Sequence, residues 1–249
     1  MSQGNMKIGY WAQGLYEQSA TKKEKLGALR IDELGRKFRY AKNGATDLLV
    51  GKMTASPVTD TDFFDKTGVA ASIGDTEVTV TVVNPGTAYA EDYFADGMLV
   101  VRDKLRMYQI EASQYIAATT QTTCKLHLAQ PLIEAITSSE ETDLVPSLWQ
   151  AVVQNDAEEC IPTGVPLISV TAAYYCWLQT GGMGICAVKG SPTVGSMLVT
   201  SATTGVLQVI GATAAAGDVS TFDSDFPICA IAKGTGTDSD AQVVYFKID

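Results

Sequence analysis

The residue types that most often carry chemistry are scarce in this 249-residue chain. It has one histidine, His127, and five cysteines, Cys124, Cys160, Cys176, Cys186 and Cys229, none of them in a CxxC pair. A zinc site needs several closely spaced Cys, His or carboxylate ligands, and a Cys/His dyad needs a histidine brought to the thiol. This inventory argues against both and reads as free, buried thiols. No run of roughly 18 apolar residues occurs, and residues 1–9 contain no apolar stretch of the kind a signal peptide carries, so the sequence predicts neither a membrane span nor export. P-loop, GxGxxG and EF-hand spacings are missing as well. No cofactor is expected.

Bases are also missing from a long stretch. Between Lys125 and Lys189 there is no Lys or Arg, while Glu134, Glu140, Glu141, Asp143, Asp156, Glu158 and Glu159 accumulate. The whole chain carries 28 acids against 18 bases, a net of -10, which disfavours nucleic acid as a partner because phosphate binding rests on neutralisation by Lys and Arg. Residues 1–52 invert the balance, with ten bases against five acids. That polarity predicts a basic N-terminal arm on an acidic body.

The body reads as β. Residues 77–83 alternate, with Val78, Val80 and Val82 on one face and Thr79 and Thr81 on the other, the period of a half-buried strand. Short runs rich in β-branched and aromatic residues follow at 98–101, 105–110, 123–128, 166–171, 174–179, 184–188, 197–200, 206–210, 228–232 and 242–248. Turn signals separate them: Asn84-Pro85-Gly86, Gly181-Gly182, Gly190-Ser191-Pro192 and Thr204-Gly205. Helix is confined to three weak signals. They are 21–29, with Thr21 and Glu24 at capping-box spacing, one turn at 90–95, and 143–153, which would serve equally as strand. The expected fold class is all-β, made of β-sandwich or barrel modules of jelly-roll-like or small-barrel form with an extended N-terminal arm. The regions are 1–55 for the arm, 56–145 for a first β module and 146–249 for a second.

Candidate functional residues are few. His127 shares a strand face with Lys125, opposite Cys124, Leu126 and Leu128, so it reads as an exposed strand histidine. Gly181-Gly182-Met183-Gly184 reads as a hairpin turn and not a phosphate cradle. The acidic groups Asp60, Asp62 and Asp65, and Asp218, Asp223 and Asp225, read as solvated loops. In residues 174–179, alternation sends Tyr175, Trp177 and Gln179 to one face. That face is either a possible aromatic surface for a sugar or a partner, or one side of a strand packed on both faces. In the arm, Arg30, Arg36, Lys37, Arg39 and Lys42 are candidate charge partners, and Phe38 and Tyr40 candidate anchors, of an interface that orders on binding.

Several segments carry a family resemblance. The stretch 25–46, with its core Gly35-Arg36-Lys37-Phe38-Arg39-Tyr40-Ala41-Lys42-Asn43-Gly44, continuing through Gly51-Lys52, resembles a segment of virion structural proteins of tailed bacteriophages. Gly164-Val165-Pro166, residues 175–182, residues 194–198, Thr204-Gly205, residues 230–236 and residues 244–249 resemble the β module of phage head decoration, or cement, proteins. The resemblance covers about half of the chain and does not extend to residues 56–145. It implies a non-enzymatic virion protein, made in the host cytoplasm, that binds the outside of a capsid through the major capsid protein and stabilises it, commonly as a homotrimer. A receptor- or glycan-binding virion module (fibre or spike) and a major capsid subunit are the alternative readings.

Overall fold

The computed structural model describes residues 11–83, 85–156, 160–210, 227–238 and 240–249. The chain divides into two compact units: Val58–Ser147 is inserted into a unit built from Met1–Pro57 and Leu148–Asp249. Strand dominates, and the helical pieces among the described residues are two short 3-10 turns, Thr61–Phe63 and Arg102–Lys104. The all-β expectation holds. The helical signals at 21–29, 90–95 and 143–153 form turns, loops and strand instead.

The chain enters the discontinuous unit through β1 (Leu29–Ile31), β2 (Lys37–Lys42) and β3 (Thr54–Ala55). It then builds the inserted unit from β4 (Lys66–Thr67), β5 (Glu77–Thr81), β6 (Met98–Val101), β7 (Arg106–Ser113), β8 (Thr123–Leu128) and β9 (Glu141–Val145). These six form one antiparallel sheet in the order β4-β9-β6-β7-β8-β5, and a bridge from Gly68 to Val80 brings its two ends together. The alternation read in β5 and β8 is what closes it: Val78, Val80, Cys124, Leu126 and Leu128 point inward with Leu99, Ile110, Phe63 and Phe94, while Glu77 and His127 face out and pair across the strands.

The remaining strands return to the first unit. They are β10 (Val153–Gln154), β11 (Pro162–Pro166), β12 (Tyr175–Lys189), β13 (Met197–Val199), β14 (Leu207–Val209), β15 (Ile228–Ala232) and β16 (Asp240–Lys247). β3 pairs with β10, so the two places where the chain leaves and re-enters this unit are adjacent strands. The central element is β12, fifteen residues long. Its first half pairs with β2 and β11; its second half pairs with β16 and, at Val188 and Lys189, with β14. β12, β14, β13, β15 and β16 thereby close into a five-stranded barrel around Cys186, Val188, Leu198, Leu207, Cys229, Ala230, Val244 and Phe246.

The glycine pair read as a hairpin turn is not one. Gly181 and Gly182 lie within β12, where a bulge between Gln179 and Gly181 and a positive φ of 82° at Gly182 mark the point at which the strand exchanges β2 and β11 for β16 as its partner within one sheet. Glycine adjacency marks a bend here because both flanks keep partners: Leu178 pairs with Arg39, and Met183 with Tyr245.

The N-terminal region is not an extended arm. β2 lies against β12 from Tyr175 to Gly181, and Phe38 and Tyr40 are fully buried with Leu26 and Trp177. The strand KFRYAK alternates aromatic and basic residues, which is the pattern of a half-buried strand; its high charge makes that alternation read as an arm packing on a partner, where it packs on the chain's own β12. Residues 146–249 therefore do not form a module without residues from 1–57.

Two stability predictions follow from this packing. Phe38→Ala removes a fully buried ring and is expected to cost ~3–5 kcal/mol, whereas Lys37→Ala next to it should stay within about 0.5 kcal/mol. Urea unfolding of the two variants checks the pair, and equal costs would contradict the burial. Gly184 faces the ring of Phe246, and an added Cβ would sit 2.6 Å from Phe246 Cε2 and 2.7 Å from Gln179 Oε1. Gly184→Ala should then cost ~1–3 kcal/mol through overpacking and lower the melting temperature by several degrees.

Candidate functional site

The residues singled out for an interface are already engaged within the chain. Arg30 donates to the Gln13 carbonyl at 3.0 Å and lies over the rings of Trp11 and Trp177. Arg36 is paired with Asp32 at 2.7 Å and covers Phe38. Arg39 makes a two-pronged contact with the Asp249 carboxylate, at 2.5 and 2.9 Å, and lies over Trp149; its guanidinium holds that carboxyl below the usual range. Lys37 reaches the Asp249 backbone oxygen, and Lys42 lies over Tyr175. Tyr40 donates to Gln13 Oε1 at 2.8 Å and accepts from the Lys23 amide.

The aromatic surface is likewise internal. Trp177 is 1% exposed and donates its indole N–H to the Gln13 carbonyl, while Tyr175 stacks on Tyr40. Packing on both faces is found from Cys176 to Thr180, so the Trp177 ring offers no platform to a sugar, and the half-buried Tyr175 is stacked on Tyr40 with Lys42 over its ring. Gln13 is the residue that sequence reasoning missed. It is 2% exposed and meets Tyr40, Trp177, Arg30 and the Tyr175 carbonyl, yet a lone Gln in a loop gives no periodic signal.

Reactive groups are quiet. All five cysteines are free. Burial pushes the thiols of Cys176 and Cys186 up to about 12 and that of Cys124 to about 11, raises Cys229 further still, and also raises the half-buried Cys160, whose thiol donates to Asn155 Oδ1. His127 is exposed, 3.6 Å from Glu77. Asp60 caps the first 3-10 turn and accepts from Tyr89, and Asp65, Glu141 and Asp143 surround Arg102. The crowding by Asp65 pushes the Glu141 carboxyl up. Among the described residues no group of three or more His, Cys, Asp or Glu side chains is arranged to hold a metal ion; Asp218, Asp223 and Asp225 lie outside the described residues. Within them, no helix is long and apolar enough to cross a membrane.

What the barrel does present is an apolar outer wall. Alternation that sends Cys186, Val244, Phe246 and Leu198 inward sends Met183, Ile185, Val243, Tyr245 and Met197 outward, and these are 47, 58, 44, 44 and 49% exposed. Register aligns them in tiers. Met183 pairs with Tyr245, Tyr245 with Ile231, and Ile231 with Met197, so one tier crosses β12, β16, β15 and β13. Ile185 and Val243 pair in the next tier. Lys247, opposite Gly181, and Lys233, whose amide donates to the Val243 carbonyl, flank the belt.

A scan against models of known protein families and searches of curated proteins and of solved structures return no match to this chain.

The burial of thiols and phenols sets the response to alkali. Burial raises Tyr40 and Tyr89 to about 12, in the same direction as the thiols. Each group holds its proton more tightly folded than unfolded, so its contribution is intact below the unfolded value, about 8.5 for a thiol and about 10 for a phenol, and is lost as pH rises toward the folded one. The melting temperature is expected to hold level to about pH 8 and to fall steadily from about pH 9. Below the melting range at pH 8, a thiol reagent should label Cys160 first and leave the other four cysteines unreacted until the chain is unfolded. A flat alkaline profile, or immediate labelling of several thiols, would contradict the buried state.

Proposed function

We propose that this chain is a non-enzymatic structural protein of a tailed-bacteriophage virion that binds the outer surface of the capsid as a decoration, or cement, protein. Its partners on this reading are the major capsid protein and further copies of itself, as a homotrimer, with no membrane, nucleic acid or cofactor involved.

One observation carries the reading. The segments that resemble phage virion proteins are scattered from Lys25 to Asp249, yet all fall in the discontinuous unit and none in Val58–Ser147. They are also spatial neighbours: residues 37–42 pair with residues 175–181, residues 194–198 and 230–236 lie together through β13 and β15, and the Met53 amide following Gly51-Lys52 donates to the Gly205 carbonyl. Their gathering in one body, with the inserted unit left out, is what supports the reading. The engaged arginines and protonated thiols suit a scaffold better than a reaction site, and stabilisation by a subunit that binds the closed shell but not its separated parts needs only mass action.

A density map of particles from the phage that carries this gene tests the proposal. The expected result is protruding density fitting the barrel unit at three-fold or quasi-three-fold positions of the capsid. Particles in which the chain is found only on the tail, or not at all, would overturn it.

A further inference from the structure

We propose that Cys160 and Cys229 form an oxidative modification site, at which a peroxide joins the two sulfurs in an intramolecular disulfide that ties the segment carrying Asn155 and Cys160 to the barrel wall.

The pair is built around Thr200. β13 ends at Val199, which pairs with Ile228 of β15, while Leu198 pairs with Ala230. That register shift leaves Cys229 as the extra residue of a bulge, turned into the barrel core, with its thiol donating to the Pro227 carbonyl at 3.3 Å. On the other side, Asn155 donates to the Ser201 carbonyl at 3.0 Å, just past the end of β13, and its Oδ1 accepts from the Cys160 thiol at 2.8 Å. Thr200 lies fully buried between these two attachments and touches both sulfurs. Its hydroxyl donates to the sulfur of Cys160 and its backbone N–H to that of Cys229. One residue hydrogen-bonded to both thiols brings them to the same place in the fold from positions far apart in the chain.

The two cysteines differ in what can reach them. Cys160 is half-buried and lies outside any strand, whereas Cys229 is fully buried. A dissolved oxidant therefore meets Cys160 first. The Cys160 thiolate attacks one oxygen of the peroxide, the O–O bond breaks, and the sulfur becomes a sulfenic acid while the departing oxygen takes up a proton and leaves as water. The Cys229 thiol then attacks that sulfur; the S–S bond forms, the S–O bond breaks, and the leaving hydroxide takes the Cys229 proton as a second water. Two thiols lose two electrons and one peroxide becomes two waters. Burial holds both thiols protonated at neutral pH, so the reaction is slow, which suits a cross-link made once over a sensor that cycles. Cys186 also neighbours Cys229 in the core, but it is fully buried and fixed in β12 opposite Gln242, so no oxidant reaches it to start the same sequence. On the reading above, the chain folds reduced in a cytoplasm and meets oxidant only after release; that setting rests on the reading, and the chemistry does not.

Peptide mapping of the full chain tests this. The protein is purified reduced, treated with hydrogen peroxide, unfolded in the presence of an alkylating agent and digested. The expected product is a linked peptide pair containing Cys160 and Cys229, two hydrogens lighter than the separate peptides. Because the bond closes a loop of about 70 residues, the oxidised chain should melt roughly 5–10 °C higher and return to its starting value with dithiothreitol. Cys160→Ser should abolish both the linked pair and the gain, and Cys124→Ser, in the core of the inserted unit, should keep both. Oxidation of Cys160 to a sulfinic or sulfonic acid with Cys229 still alkylated, or a linkage between two chains, would overturn the site, and the wild-type map reads this without any variant having to fold. A linked pair with an unchanged melting temperature would overturn the tie. The decoration role fails separately: a chain that forms the cross-link yet is missing from every particle loses that role and keeps the site.

Discussion

The fold of the discontinuous unit depends on the redirection of β12 at Gly181–Gly182. A strand this long would ordinarily keep its partners, but just past the bulge between Gln179 and Gly181 the pairing with β2 ends and the pairing with β16 begins, both at Gly181. A bulge leaves carbonyls without ladder partners, and here the buried Gln179 amide supplies them, donating to the Gly181 and Met183 carbonyls at 3.2 and 2.8 Å. Thr180 adds a bond to Asp249, whose carboxylate is clamped by Arg39 from β2. The C-terminal residues, the N-terminal strand and the bend are therefore one polar joint, and the barrel closes on one side of it while the Trp177 core packs on the other.

That joint explains which parts of the structure were legible from the residues. Strands such as β5 and β8 alternate over five or more positions and were visible as such, because one face meets a core and the other meets water. β2 was not, since Lys37, Arg39 and Lys42 dominate its composition, with Arg36 just before it, and a basic stretch with aromatics reads as a binding arm. Its cations are long enough to lie across the rings of Phe38, Trp149 and Tyr175, so charge and burial coexist there. β9 was hidden in a different way: residues 143–153 gave a weak helix signal, but Glu141 and Asp143 line up beside Arg102 at the wall of the inserted sheet.

Insertion of Val58–Ser147 carries its own logic. β3 and β10 flank the insertion and pair with each other, Thr54 with Gln154 and Ala55 with Val153, so the host unit needs only two adjacent strand ends to accept an extra body. The inserted unit in turn has a full core, including Phe63, Phe94, Leu99, Ile110 and Leu126, and owes none of its sheet pairing to the host. A linear reading that cut the chain at about 55 and 145 located the insertion but treated its flanks as separate regions, because sequence adjacency carries no trace of a β2–β12 pairing across more than 130 residues.

The belt shows where a sequence signal was present but open to two meanings. Residues 183–188 and 242–246 are apolar at nearly every position, the pattern of a strand covered on both faces. In the first half of β12 that meaning applies, because β2, β11 and the Trp177 cluster cover it and Cys176 through Thr180 are all buried. In the second half the barrel covers only the inner face, around Cys186 and Val188, and the outer face of the same strand keeps its apolar residues with nothing from the described chain over Met183 or Ile185. A strand apolar on both faces by composition is thus covered on one face only in its second half, because how many faces the core takes up is set by which strands pack over it and not by the strand's own residues.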